Sequence, residues 1–143
     1  MTSPRETLQN LAKIGKLKVE PPDQGEFDGL VRSAGRKLPD AQNAGLSPDS
    51  RFILAYDAAH SLALAALRWH GFRAENRYIV FQLLESTASF PAAKWRVLDN
   101  CHQKRNAALY DGEYAEEEQL ISELIAVTLE LKAAVEALGP VGN

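Results

Sequence analysis

The chain has 143 residues, 45% of them hydrophobic and 24% charged, with a formal net charge of −3. That length and balance fit one globular domain spanning residues 1–143, and they exclude both a disordered tail and a uniformly basic nucleic-acid binder. Cys101 is the only cysteine, which excludes an intramolecular disulfide and a cysteine-rich zinc site.

The first sixteen residues, MTSPRETLQNLAKIGK, hold no apolar run of the kind a secretory signal carries, so a cytoplasmic protein is expected. Leu8, Leu11, Ala12 and Ile14 give a mixed apolar face and predict a short helix over residues 7–14. Glu20-Pro21-Pro22-Asp23 ends it and reads as a stiff linker, so residues 1–25 form an extension to a core over 26–138. Phe27, Leu30, Val31 and Ala34 recur at helical spacing and predict a second helix over 26–37, with a loop from Pro39 to Gly45.

Ser47-Pro48-Asp49 is a strong helix start. The serine can accept from a free backbone N–H, the proline suits the first turn, and the aspartate opposes the positive end of the dipole. Phe52, Tyr56, Ala59, Ala63, Ala66 and His70 follow one stripe, and Leu54, Ala58, Ser61 and Ala65 leave the other faces small or apolar. A helix with so little charge around it is buried on several sides and forms the centre of a bundle. Asp57 and His60 interrupt its apolar run, which is too short and too polar for a membrane span.

Gly71 is the expected C-cap. A shorter helix is predicted over 78–88, another from Pro91 to about residue 109 through Trp95, Leu98 and His102, and a last one over 116–138. The last carries Leu120, Ile121, Leu124, Val127, Thr128, Leu131 and Val135 as its stripe, and Gly139-Pro140 stops it. The whole is an all-α, compact up-and-down helical bundle of five to six helices, with no convincing strand.

Two patterns carry candidate chemistry. Lys94, Arg96, Lys104 and Arg105 face Asp99 alone within residues 94–105, and an acidic stretch follows from Asp111 to Glu118. These are either two solvated faces that attract each other or a phosphate-binding patch in which Arg105 offers planar donors. Separately, Asp57-Ala-Ala-His60 and Asp99-Asn-Cys-His102 are both Asp-x-x-His. Paired motifs of this kind build di-metal sites in helical bundles, and Glu85, Glu123 or Glu130 would have to complete the ligand set. That set is not clearly placed, so neither a metal nor another cofactor is expected. Cys101 cannot pair with adjacent His102 on one helix face and reads as a small buried hydrophobe.

The run RFILAYDAAH (residues 51–60) resembles the central helix of HEPN domains (higher eukaryotes and prokaryotes nucleotide-binding). The run HQKRNAALYDG (residues 102–112) resembles the end of their Arg-Asn helix. The likeness covers roughly residues 47–138. It implies a HEPN-like bundle that binds RNA or a nucleotide, or an antitoxin-like protein partner, through the Arg105 region. It also implies a homodimer and a place in a toxin–antitoxin or RNA-processing system. Trp69, Phe72, Phe90 and Trp95 are the expected aromatic anchors of that dimer.

The binding residues so implied are Arg105, Asn106, Tyr110, Asp57, His60 and Lys104. The family's ribonuclease motif is an arginine followed, after four to six residues, by a histidine. Here Arg105 and Asn106 match, but Tyr110 stands where the histidine belongs. A tyrosine is a poor base at neutral pH, so binding without cleavage is expected. The alternative is a metal-independent endoribonuclease in which His102, one turn before Arg105, replaces the missing histidine. A di-metal bundle is the remaining reading.

Overall fold

The computed structural model describes residues 3–74, 78–112 and 118–142. These form seven helices and one small sheet: α1 (Pro4–Lys13), β1 (Leu17–Val19), α2 (Gln24–Ala41), α3 (Pro48–Trp69), β2 (Phe72–Ala74), α4 (Tyr78–Gln82), α5 (Leu84–Ala88), α6 (Ala92–Asp111) and α7 (Glu118–Glu136). The fold is all-α.

Helices α1, α2 and α3 each start where a side chain can hold a free amide. Ser3, Asp23 and Ser47 accept from the backbone N–H of Glu6, Glu26 and Ser50, at 3.1, 3.2 and 3.2 Å. Such a cap contributes about 1 kcal/mol. Helix α3 is buried on several sides, as its composition predicts. Phe52, Ala55, Tyr56, Ala58, Ala59 and Leu62 lie on different sides of it, and each is at most 1% exposed. Its alanines let α2 and α7 approach closely, and α4, α5 and α6 pack around the rest. Leu38 and Ala41 of α2 and Ile121, Leu124, Leu131 and Val135 of α7 complete this main core.

The structure departs from expectation in four places. First, α2 runs through Pro39 to Ala41: Leu38 and Ala41 are buried on either side of the proline, and Gln42 N–H closes the end on the carbonyls of Leu38 and Pro39. The expected loop therefore starts later. Second, residues 78–88 form two short helices broken at Leu83. The break serves two cores: Val80, Phe81 and Leu84 enter the main one, while Leu83 joins Leu8, Leu17, Leu67 and Phe72 in a second cluster.

Third, two strands appear. β1 and β2 pair antiparallel with Lys18 opposite Arg73. Gly71, at φ +87°, provides the left-handed step from α3 into β2. Fourth, Phe72 and Phe90 are 7% and 3% exposed and belong to the two cores, so they are not surface anchors for a dimer. Trp69 and Trp95 are half-buried, and their indole N–H groups donate to the Gly139 carbonyl at 3.1 Å and to Glu85 at 2.7 Å.

Within the described residues no helix is long and apolar enough to cross a membrane. The acidic opening expected at residues 116 and 117 lies outside the described residues. Glu118 does begin α7, and it takes a two-pronged ion pair from Arg51, whose Nη1 lies 2.9 and 3.1 Å from the carboxylate oxygens.

Candidate functional site

Helices α3 and α6 place the predicted residues on two adjoining surfaces, one buried and one open. Phe52, Tyr56 and His60 recur every four residues and so share one face of α3. Their rings stack in sequence, with centroids 6.5 Å apart for Phe52–Tyr56 and 6.2 Å for Tyr56–His60. Phe81 of α4 meets Tyr56, His60 and His102 edge-on at 6.0, 6.0 and 6.2 Å. From α6, His102 enters this aromatic layer. It is 2% exposed, and its Nδ1 is 2.6 Å from the Tyr56 hydroxyl. The second ring nitrogen, Nε2, is 3.2 Å from the side-chain amide of Asn106, one turn further along α6.

This arrangement decides what His102 can do. The Asn106 amide can donate to Nε2 while Nδ1–H donates to Tyr56, or Nε2–H can donate to the amide oxygen while the tyrosine donates to Nδ1. In both arrangements both nitrogens are engaged inside the protein. A general base must instead reach the proton it removes. The expectation that His102 shares an accessible face with Arg105 is therefore corrected. The histidine faces the core.

Arg105 lies across the same tyrosine on the outside. Its guanidinium carbon is 5.5 Å from the Tyr56 ring centroid, within the range of a cation–π contact, and the side chain is half-exposed. Among the described residues no carboxylate pairs with it. Lys104 is also half-exposed and unpaired within that set, whereas Lys94 is taken by Glu130 at 3.0 Å.

Tyr110 does not join this site. It is 94% exposed, and five residues of helix turn it about 140° away from Arg105. Tyr110 and the buried His102 therefore do not meet. Asp57 is half-buried and leaves α3 about 100° around from Tyr56.

The two Asp-x-x-His pairs do not assemble into a ligand set. His102 is engaged as described, Glu85 accepts from Trp95, and Glu130 pairs with Lys94. The described residues hold no group of three or more His, Cys, Asp or Glu side chains able to share a metal ion. Cys101 is fully buried, as expected. That burial, with Glu123 nearby, pushes its thiol up to about 12, against the smaller opposite pull of Lys104.

Sequence reasoning missed two features. One is Tyr56 as the element joining His102 to Arg105. Its signal was a polar-tipped ring on a buried alanine-rich stripe, because a buried hydroxyl of this kind needs a partner. The other is Arg68, 3% exposed at the end of α3. It donates to the carbonyls of Pro21, Glu20 and Phe72 at 2.7, 3.0 and 3.4 Å and to the Glu26 carboxylate at 3.1 Å. Arg73 binds the same two carboxylates, Glu20 and Glu26, from outside. The hydrogen bond from Arg73 is the main reason the Glu20 carboxyl is held below its ordinary range.

No family model, curated protein or solved structure matches this chain.

Proposed function

We propose that the chain is a HEPN-like module that binds RNA through Arg105 and does not cut it. The observation that carries this reading is the guanidinium laid over Tyr56, half-exposed and paired with no carboxylate of the described residues. A planar cation held in this way keeps its outer N–H donors for a phosphate. Lys104 adds a second positive charge beside it. Asn106 is half-buried and bonds to His102, so its role is to position that ring, with any spare amide capacity turned outward.

The absence of cleavage follows from the chemistry available. Transfer of the 2′-hydroxyl proton needs a titratable group next to the phosphate, yet His102 is enclosed and Tyr110 is on another side of α6. The homodimer implied by the resemblance would use contacts other than Phe72 and Phe90. Exposed Tyr110 is the large side chain nearest the site along the chain. Light scattering at micromolar concentration should show a dimer, and a monomer would remove the shared-site part of the reading.

The binding test is a fluorescence-anisotropy titration of a labelled single-stranded RNA. Arg105→Ala should weaken binding about tenfold and reduce its salt dependence by about one phosphate contact. Equal binding by wild type and variant would reject Arg105 as the anchor. Salt-insensitive capture of a protein, with no RNA binding, would instead favour an antitoxin-like partner.

A further inference from the structure

A second site lies at the other end of α3, and it shares no residue with the Arg105 surface. The start of α1, the linker after β1 and the turn from α3 into β2 enclose a cleft of about 630 Å³. That volume lies within the range of small-molecule sites. Two other hollows serve less well. One, of about 110 Å³, is too small, and the other, of about 450 Å³, is lined by Asp28, Arg32 and Glu136, which show no preference for either sign of charge.

The larger cleft has a definite chemical character. Its floor is Leu8 and Phe72, both buried, and its walls are Trp69, Val19 and the Pro21–Pro22 pair. Among the described residues, Arg5 is the one charged side chain that lines it, apart from what His70 can carry, and no carboxylate does. Burial lowers the pKa of His70; the hydrogen bond from its Nε2 to the Thr87 carbonyl, at 2.8 Å, opposes that shift and the Arg5 charge adds to it.

The walls are held in place before any ligand arrives. Arg68 grips the carbonyls of Glu20 and Pro21 from behind, and consecutive prolines restrict the backbone there. Trp69 is fixed by its hydrogen bond to Gly139. A rigid apolar slot loses little conformational entropy when it is filled.

We infer that this cleft binds a small aromatic carboxylate, with its rings between Trp69 and the Pro21–Pro22 wall and its acid group on Arg5. Flat apolar walls select a planar body. A single cation at the rim, with no competing carboxylate among the described lining residues, selects one negative charge. The ligand is a free small molecule, because a cleft of about 630 Å³ is of small-molecule size and has room for a planar aromatic body.

The test uses the full chain and 2-naphthoate as the probe, with naphthalene-2-carboxamide as its neutral counterpart. Calorimetric titration should give one saturable site with a Kd on the order of 0.1–1 mM, as expected for a ligand of this size. The amide should bind about tenfold more weakly. Arg5 and Val19 are exposed, so their variants should leave the fold intact. Arg5→Ala should weaken naphthoate about tenfold and abolish the difference between acid and amide. Val19→Glu, which places a carboxylate in the lining, should do the same.

Proton–nitrogen spectra locate the event. The indole N–H of Trp69 should shift while that of Trp95 does not, and Trp95→Phe assigns the two signals. No heat and no Trp69 shift up to about 10 mM ligand would overturn the inference. Equal affinity for acid and amide, or a wild-type response from Arg5→Ala, would overturn it as well.

Discussion

Replacing Arg68 with methionine tests the clip that ties the N-terminal extension to the bundle. Methionine keeps most of the apolar stem packing and removes the guanidinium. Three backbone carbonyls then lose a charged donor, at 2.7, 3.0 and 3.4 Å, and Glu26 loses its contact at 3.1 Å. A hydrogen bond to a charged group is worth about 1.5–3 kcal/mol, but water can reach the Glu20 and Pro21 carbonyls once the linker loosens. The two carboxylates also keep Arg73. The net loss should therefore be about 3 kcal/mol, toward the lower end for breaking a buried ion pair. With a urea m-value of about 2 kcal/mol/M, the midpoint followed by ellipticity at 222 nm should fall by about 1.5 M. Arg68→Lys keeps the charge without the planar fork and should lose about half as much. Arg73→Ala removes a side chain that is 44% exposed, and it should cost less than about 1 kcal/mol. A loss below about 1 kcal/mol in Arg68→Met would refute this account of the clip.

Three further outcomes follow from the core and its buried groups. Tyr56→Phe should cost about 1–2 kcal/mol in urea unfolding by removing the hydroxyl against His102, yet leave RNA affinity within about twofold, because the ring under Arg105 remains. A tenfold loss of affinity would give the hydroxyl itself a binding role. Cys101, buried and shifted to about 12, should resist a disulfide reagent at pH 8 for hours and react within seconds in urea; fast reaction of the native protein would contradict the packing of α6. His70 titrates below 6.5 in the folded chain, so between its folded and unfolded values the unfolded state binds more protons. Its contribution should be lost as pH falls from 6.5 through the folded value, and His70→Gln should flatten that part of the stability–pH curve, whereas parallel curves would show that His70 is not the group involved.

The long helices were legible because each carries a stop or start signal beside a sustained stripe. Ser47 caps α3, Gly71 ends it, and Gly112 and Gly139 close α6 and α7 with positive φ. The strands were not legible, since Leu17–Val19 and Phe72–Ala74 are too short for alternation to stand out from a loop. Pro39 misled because its missing N–H and its ring disfavour a helix interior without ending one outright; Leu38 and Ala41, 2% and 0% exposed, pack on either side of it and carry the helix through. The Arg105 site was partly legible. Spacing along α6 put His102 with Trp95 and Leu98 on one stripe, and that stripe faces the core, so the same periodicity that made His102 an attractive base also hid it. Arg68 carried no local signal: the Glu20 and Pro21 carbonyls and the Glu26 carboxylate lie more than forty residues earlier in the chain, and only tertiary packing brings them to it.

One experiment asks both whether the Arg105 surface holds RNA and whether the enclosed His102 leaves it uncut. Wild type, Arg105→Ala and His102→Ala are incubated with labelled single-stranded RNA in excess chelator. The same samples are read first for anisotropy and then on a denaturing gel. Wild type should give bound, intact RNA, and Arg105→Ala should bind about tenfold more weakly. Cleavage by wild type that disappears in both Arg105→Ala and His102→Ala would contradict binding without cutting.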